Sequence, residues 1–155
     1  MYHDIRKLLV VGVPGTGKTT VGVHLQNKHG FRHLDFEDAI RRDSFPDAFR
    51  AALQASSDTV ASWGFIPDEQ QTGLVLQLRS RGFHLLWLDG DRLAARRAFL
   101  SRGDVPITAF EVQMQRINAS GIIKRLEPFV VNPFDANGKF RPTEEVIQEM
   151  LASIG

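Results

Sequence analysis

The chain contains no cysteine. Disulfides and thiolate-ligated metal sites are therefore excluded, and the fold is indifferent to the redox state of its compartment. An excess of charge of one sign is also missing, since 19 Lys and Arg stand against 18 Asp and Glu. A net charge of +1 argues against a strong general attraction to nucleic acid or to an anionic membrane, so any anion site has to be local. No uninterrupted apolar run reaches the roughly 18 residues that a membrane-spanning helix needs. The opening residues MYHDIRKLLVVG hold no long apolar segment, so no signal peptide is expected. Repeats, low-complexity tracts and interdomain linkers are absent as well. These absences leave the expectation of a cytoplasmic protein with no nucleic-acid or membrane partner.

What remains is ordinary for a globular chain: 155 residues, 43% apolar and 24% charged. That length buries a real core and is too short for two, so a single domain over residues 1–155 is expected. Apolar runs alternate with longer segments of helical spacing, the pattern of a parallel sheet flanked by helices on both sides. Strands are expected at 7–11, 31–35, 58–63, 83–89 and 128–132. Helices are expected at 18–29, closed by Gly30, at 36–43, and at 47–57 after a break near Pro46. Others are expected at 67–82 with Pro67 in the first turn, at 91–103, at 109–121 with Thr108 as cap, and at 144–154 opened by Thr143.

The first strand runs into VGVPGTGKTT, which fits the pattern Gly, four residues, Gly-Lys-Thr. Glycines let main-chain amides converge closely on an anion, and the following helix adds its N-terminal dipole. Lys18 supplies a point charge for the β- and γ-phosphates, and Thr19 a hydroxyl for the magnesium ion that bridges them. The sequence therefore predicts a nucleoside triphosphate site over Gly12, Pro14, Gly15, Thr16, Gly17, Lys18, Thr19 and Thr20.

In GVPGTGKTT the chain resembles the small P-loop kinases that include adenylate kinase, shikimate kinase and gluconate kinase, and the likeness extends over most of its length. No NKxD-type guanine motif is present. The resemblance implies a three-layer α/β/α P-loop NTPase fold with a five-stranded parallel sheet ordered 2-3-1-4-5. It also implies ATP and Mg2+ as cofactors, a short lid around residues 102–110, and a small-molecule acceptor. The oligomeric state is expected to be monomer or homodimer.

The segment LDFEDAIRR is similar to the Asp-x-Asp stretch of shikimate kinase, with Glu37 in place of the second aspartate. In an open parallel sheet, ligands lie beyond the carboxyl ends of the strands, so Asp35 is expected beside the phosphate loop. There it would hold a magnesium-bound water or accept the proton of an attacking hydroxyl. Its alternative role is to cap the helix that starts at Phe36. Asp89, after the run LLWL, competes with Asp35 for magnesium, and Asp35 is favoured.

SWGFIPDEQQ partly resembles the DGFPRTxxQ stretch of adenylate kinase, matching at Gly64, Phe65 and Gln71. Ser62 and Pro67 replace the aspartate and the phosphate-binding arginine of that family. Together with Glu37 and Arg41, the residues Trp63, Gly64 and Phe65 are expected at the acceptor, the two aromatics either as an apolar wall or, equally, as core packing. WLDGDRLAARRAFLSRG resembles the segment of gluconate kinase before its lid. By that resemblance Arg97 and Arg102 are the best candidates to meet the phosphates, with Arg116 from the next helix, while Arg92 and Arg96 share the same helix. NPFDANGKF is similar to the loop that passes over adenine, which implies Asn137 and Gly138. His24, His29, His33 and His84 show no ligand spacing and read as surface or packing residues.

The expected activity is ATP- and Mg-dependent phosphoryl transfer to a small hydroxyl-bearing metabolite, with Lys18, Asp35 and Arg102 as catalytic residues and Thr19 and Asp35 at the metal. Two alternatives stay open. One is a nucleoside monophosphate kinase, which the likeness of DAIR to the DLLR of adenylate kinase favours. The other is a nucleotide-binding regulator or ATPase without an acceptor.

Overall fold

The computed structural model describes residues 4–103 and 105–155. Five strands form one parallel sheet: β1 (Lys7–Gly12), β2 (Arg32–Asp35), β3 (Thr59–Ser62), β4 (His84–Leu88) and β5 (Phe129–Val131). Their order is β2-β3-β1-β4-β5, as the sequence led us to expect. Helices α1 (Lys18–His29), α2 (Phe36–Arg41), α3 (Phe45–Leu53), α4 (Glu69–Ser80), α5 (Arg92–Ser101), α6 (Ile107–Ser120), α7 (Ile122–Leu126) and α8 (Thr143–Ser153) complete three layers.

The central strand shows how an unbroken apolar run serves two cores. Side chains alternate across a strand, so β1 sends Leu8 and Val10 to one face and Leu9 and Val11 to the other. On the first face α1 and α8 close the core with Val21, Leu25, Val146, Ile147 and Met150. The opposite face is larger and carries the helices from α2 to α7, with Phe36, Ala52, Val75, Leu78, Phe99, Phe110, Met114, Ile117 and Ile122.

Four of the departures from the expected helices have a local reason. α3 starts at Phe45 with Pro46 inside its first turn, because a proline there removes no helical hydrogen bond. α4 starts only at Glu69, since Asp68 caps it by accepting the Gln71 N–H at 2.7 Å, which leaves Pro67 outside the helix. Thr108 lies within the first turn of α6 and not at its cap, which is Pro106. Finally, α7 was not foreseen: Gly121, at φ +63°, ends α6 and opens α7 in one residue. Asp104, in the segment expected to form the lid, lies outside the described residues.

The larger core is held by aromatic edge contacts near β2 and β3. Phe36 meets Phe45 and Trp63 edge-on, with ring centroids 5.3 and 5.6 Å apart. Phe36 is fully buried. Truncating it to alanine is expected to cost about 3–5 kcal/mol, read as a lower midpoint in guanidinium unfolding with an unchanged slope. A loss under about 1 kcal/mol would show that this cluster does not hold the β2 and β3 side of the sheet together.

Candidate active site

The loop between β1 and α1 is built around main-chain conformations that need glycine. Gly15 has φ +80°, and a Cβ there would run into the backbone carbonyl of Ala95 on α5. Gly17, at φ +86°, is the N-cap of α1, and it offers no side chain to the helix. The first turn of α1 holds no acidic residue, whereas its last turn holds Lys28 and His29. The amides at the positive end of the dipole are thus left facing outward, the arrangement that takes an anion. Thr16 is 2% exposed and donates its hydroxyl to the Val13 carbonyl at 2.6 Å, bracing the loop from inside. Gly12 is likewise buried, packed against the backbone of Leu88.

Pro14, Gly15, Gly17, Lys18, Thr19 and Thr20 form one wall of a cleft of about 820 Å³. The other walls bring Asp35, Glu37 and Arg41 from β2 and α2, Gly64 after β3, Ser101 and Arg102 at the end of α5, Gln113 from α6, and Phe140. Asp35 lines this cleft and also caps α2, accepting the Asp38 N–H at 3.1 Å. The capping role read from the sequence is therefore present, in a side chain that also borders the cleft. Glu37 Oε1 accepts the Gly64 N–H at 2.6 Å, and Gln113 Nε2 donates to the Gly64 carbonyl at 3.4 Å.

Lys18 Nζ donates to the Val13 carbonyl at 3.1 Å. Burial lowers its pKa to about 8; Glu37 pulls it back up, and Arg102 pushes it further down. The ammonium thus sits where solvent compensates it poorly, under the opposing influence of a carboxylate and a guanidinium.

Several expected residues lie elsewhere. Trp63 and Phe65, 1% and 4% exposed, do not form an apolar wall to the cleft. The Trp63 amide continues the sheet by donating to Val10, and the ring packs among Phe36, Phe45 and Phe65. Arg116 is exposed on α6 and is not among the cleft residues. Gln71 accepts the Ile66 N–H at 2.6 Å, so it fastens the loop before α4. Ser62 bonds His33 Nε2 at 2.8 Å. Burial pushes the His33 pKa down, against the pull of Asp35.

Asp89 is 7% exposed and fully engaged. It accepts from Trp87 Nε1 at 3.0 Å, from the Gly90 N–H at 2.7 Å, and from Arg92 Nε and Nη2 at 3.1 and 2.9 Å. Burial raises its pKa, and those donors more than offset the rise and leave it below the usual carboxylate range. Arg92 also donates to Asn118 at 2.8 Å, and Arg96 pairs with Glu111 at 3.0 Å, so both tie α5 to α6.

Arg97, Asn137 and Gly138 are brought together at a second place, beyond the start of α5. The Arg97 guanidinium passes over Gly138, with Asp91 and Ala94 alongside. Asp135 shapes this turn by accepting the N–H groups of Asn137 at 2.8 Å and Lys139 at 3.0 Å. Phe140 leaves the turn towards the phosphate loop, its ring 4.6 Å from that of Phe134 and near Gly17. Phe140, Gln113 and Ser101 were missed as cleft residues in the sequence. The half-exposed aromatic in a turn-rich segment was the available signal for Phe140; nothing marked the other two.

No protein-family model and no curated protein sequence matches the chain. Solved structures match along nearly all of it. A gluconokinase from Sinorhizobium meliloti 1021 superposes with TM-score 0.62 at 18% identity, over 97% of this chain and 92% of that one. A shikimate kinase from Bacteroides thetaiotaomicron gives TM-score 0.67 at 12% identity, over 97% and 99%. A shikimate kinase from Acinetobacter baumannii, solved in complex with shikimate, gives 0.66 at 16%, over 97% and 95%. The chain has the P-loop fold of the small kinases.

The lowered Lys18 pKa gives the cleft a pH dependence of known sign. Anion binding favours the protonated amine, so affinity for inorganic tripolyphosphate is expected to hold below the pKa of about 8 and to fall as pH rises through it. Calorimetric titration across that range checks this. A profile identical in Lys18→Met would remove the amine from the account.

Proposed function

We propose that the chain is a kinase that transfers the γ-phosphoryl group of ATP, with Mg2+, to a hydroxyl group of a small metabolite. The observation that carries this reading is the facing of two walls in one cleft: the outward amides of α1 with Lys18 and Thr19, and Asp35 opposite. The fold shared with gluconokinase and shikimate kinase structures supports the same class of acceptor.

The donor set suits magnesium. Thr19 is exposed at the mouth of the helix, Asp35 lines the same cleft, and both offer hard oxygen ligands. Asp89 has its carboxylate occupied by Trp87, Gly90 and Arg92, which favours Asp35 over it. Thr19 and Asp35 would hold the ion, and the chemistry it would supply there is neutralisation of phosphate charge.

In this reading the amides of Gly15 to Thr20 fix the phosphate chain, and Lys18 places its charge on the transferred group. Arg102, at the end of α5, stabilises the charge that spreads over the equatorial oxygens. Asp35 accepts the hydrogen of the attacking hydroxyl and so orients its oxygen in line. Glu37, Arg41, Gly64 and Gln113 shape the acceptor end. Residues 102–110 act as a short lid that excludes water. Arg97, Asn137, Gly138 and Phe140 surround the base. The protein works in the cytoplasm. A nucleoside monophosphate acceptor fits less well, because Pro67 replaces the arginine and Gln71 is spent on its own loop.

An assay of ADP release over a panel of polyols, sugar acids and nucleoside monophosphates tests the reading. A hydroxyl metabolite is expected to stimulate turnover, and Asp35→Asn to lower kcat by about 10²–10⁴ with a smaller change in KM. Lys18→Met is expected to abolish turnover while leaving the melting temperature equal or higher, because it removes a desolvated charge. Full activity in Lys18→Met, or stimulation by nucleoside monophosphates alone, would overturn the proposal.

A further inference from the structure

On the face of the sheet away from the large core, α1 and α8 bring three potential metal ligands to one point. His29 Nε2 lies 2.6 Å from Glu144 Oε1 and 3.0 Å from Oε2, and His24 Nε2 lies 3.2 Å from the same Oε1. One ligand atom from each residue falls within 4.8 Å of the other two. Both imidazoles therefore present Nε2 to a single carboxylate, with ring centroids 6.1 Å apart. Among the described residues, no other group of three His, Asp or Glu side chains converges in this way.

We infer that His24, His29 and Glu144 form a binding site for a transition-metal dication of the Zn2+ class, separate from the phosphate cleft. Two neutral imidazoles and a carboxylate are the donor set of Zn2+, Co2+ or Ni2+, whereas Mg2+ prefers oxygen alone. Ligand atoms around a tetrahedral Zn2+ stand about 3.3 Å apart. The His24 to Glu144 separation already matches, and the His29 to Glu144 pair has to open by about 0.7 Å. The side chains have room to do so, being 26%, 19% and 45% exposed. Gln148 Nε2 donates to Glu144 Oε2 at 3.1 Å and so holds the carboxylate towards the two imidazoles. Three protein ligands leave the fourth position to water.

The ion would clamp the end of α1 to the start of α8. These two helices share the smaller core through Val21, Leu25, Val146 and Ile147, so the clamp acts on the folded state alone and stabilises it in proportion to occupancy. The histidines lie five apart in the chain, roughly 140° around a helix. His29 is the last helical residue before Gly30, and Glu144 comes from the opposite end of the chain.

The test uses the full-length protein without an affinity tag and Zn2+ as the probe. Calorimetry is expected to show one equivalent bound, and Co2+ to give the visible absorption of a four-coordinate site. Zn2+ at about 100 times its dissociation constant is expected to raise the melting temperature by about 5 to 10 °C. Glu144→Gln and the double variant His24→Gln with His29→Gln should each weaken binding by about tenfold or more. These side chains lie outside both cores, and the metal-free melt of each variant verifies that it folds. Absence of saturable binding at about 100 μM Zn2+ in the parent, or undiminished binding in both folded variants, would overturn the inference. The outcome is independent of whether the cleft is a kinase site.

Discussion

The structure turns on the bare N-terminus of α1. A helix has to satisfy its first amides somehow, and most helices do so with a capping side chain or an acid in the first turn. Here α2, α4 and α5 each carry a capping aspartate, Asp35, Asp68 and Asp91, while α1 has glycine and no acid. The loop from Gly12 to Lys18 thus leaves the first amides of α1 without a side-chain partner, an arrangement that a bound anion would complete. β1 can support this because it is the central strand, hydrogen-bonded to β3 and β4 on either side. Gly15 in turn rests on α5, so the loop is fixed at both of its bends.

The two acidic candidates at strand ends show how similar sequence contexts acquire different work. Asp35 and Asp89 both follow an apolar strand and both precede a helix. Asp89 is surrounded by an indole N–H, a guanidinium and an amide, and its charge is spent holding β4 to α5. Asp35 has a single amide to cap and faces the cleft. Glu37, two residues further, spans the gap to Gly64, and its charge raises the pKa of Lys18 against the effect of burial.

Much of this was legible in the sequence wherever the cause was local. The glycine-bent loop before α1, the capping role of Asp35 and the strand order followed from short motifs, periodicity and a family resemblance. The acceptor side was not legible, because it depends on which face of β3 each residue takes. Trp63 follows Ser62, the register partner of Val10, and donates its N–H to the Val10 carbonyl, and at that position its ring enters the core instead of the cleft. Phe140 and Gln113 reach the cleft across long sequence separations that no spacing rule encodes. The same holds for His24, His29 and Glu144: an i, i+5 pair is not a helical face, and the third member is more than a hundred residues away. Thr108 and Pro67 show the usual limit at helix ends, where a neighbouring cap moves the boundary by a residue or two.

The charge balance of the cleft, set within a nearly neutral molecule, has a kinetic consequence. Lys18, Arg41 and Arg102 face Asp35 and Glu37, and the chain as a whole carries +1. At physiological ionic strength charges are screened over about 8 Å, so this small imbalance does not project far into solution. Anionic ligands therefore meet the protein by unguided diffusion, at a rate that changes little with added salt. In the proposed reading, discrimination would then fall to how long each visitor stays, a matter for the amides of α1 and the desolvated ammonium.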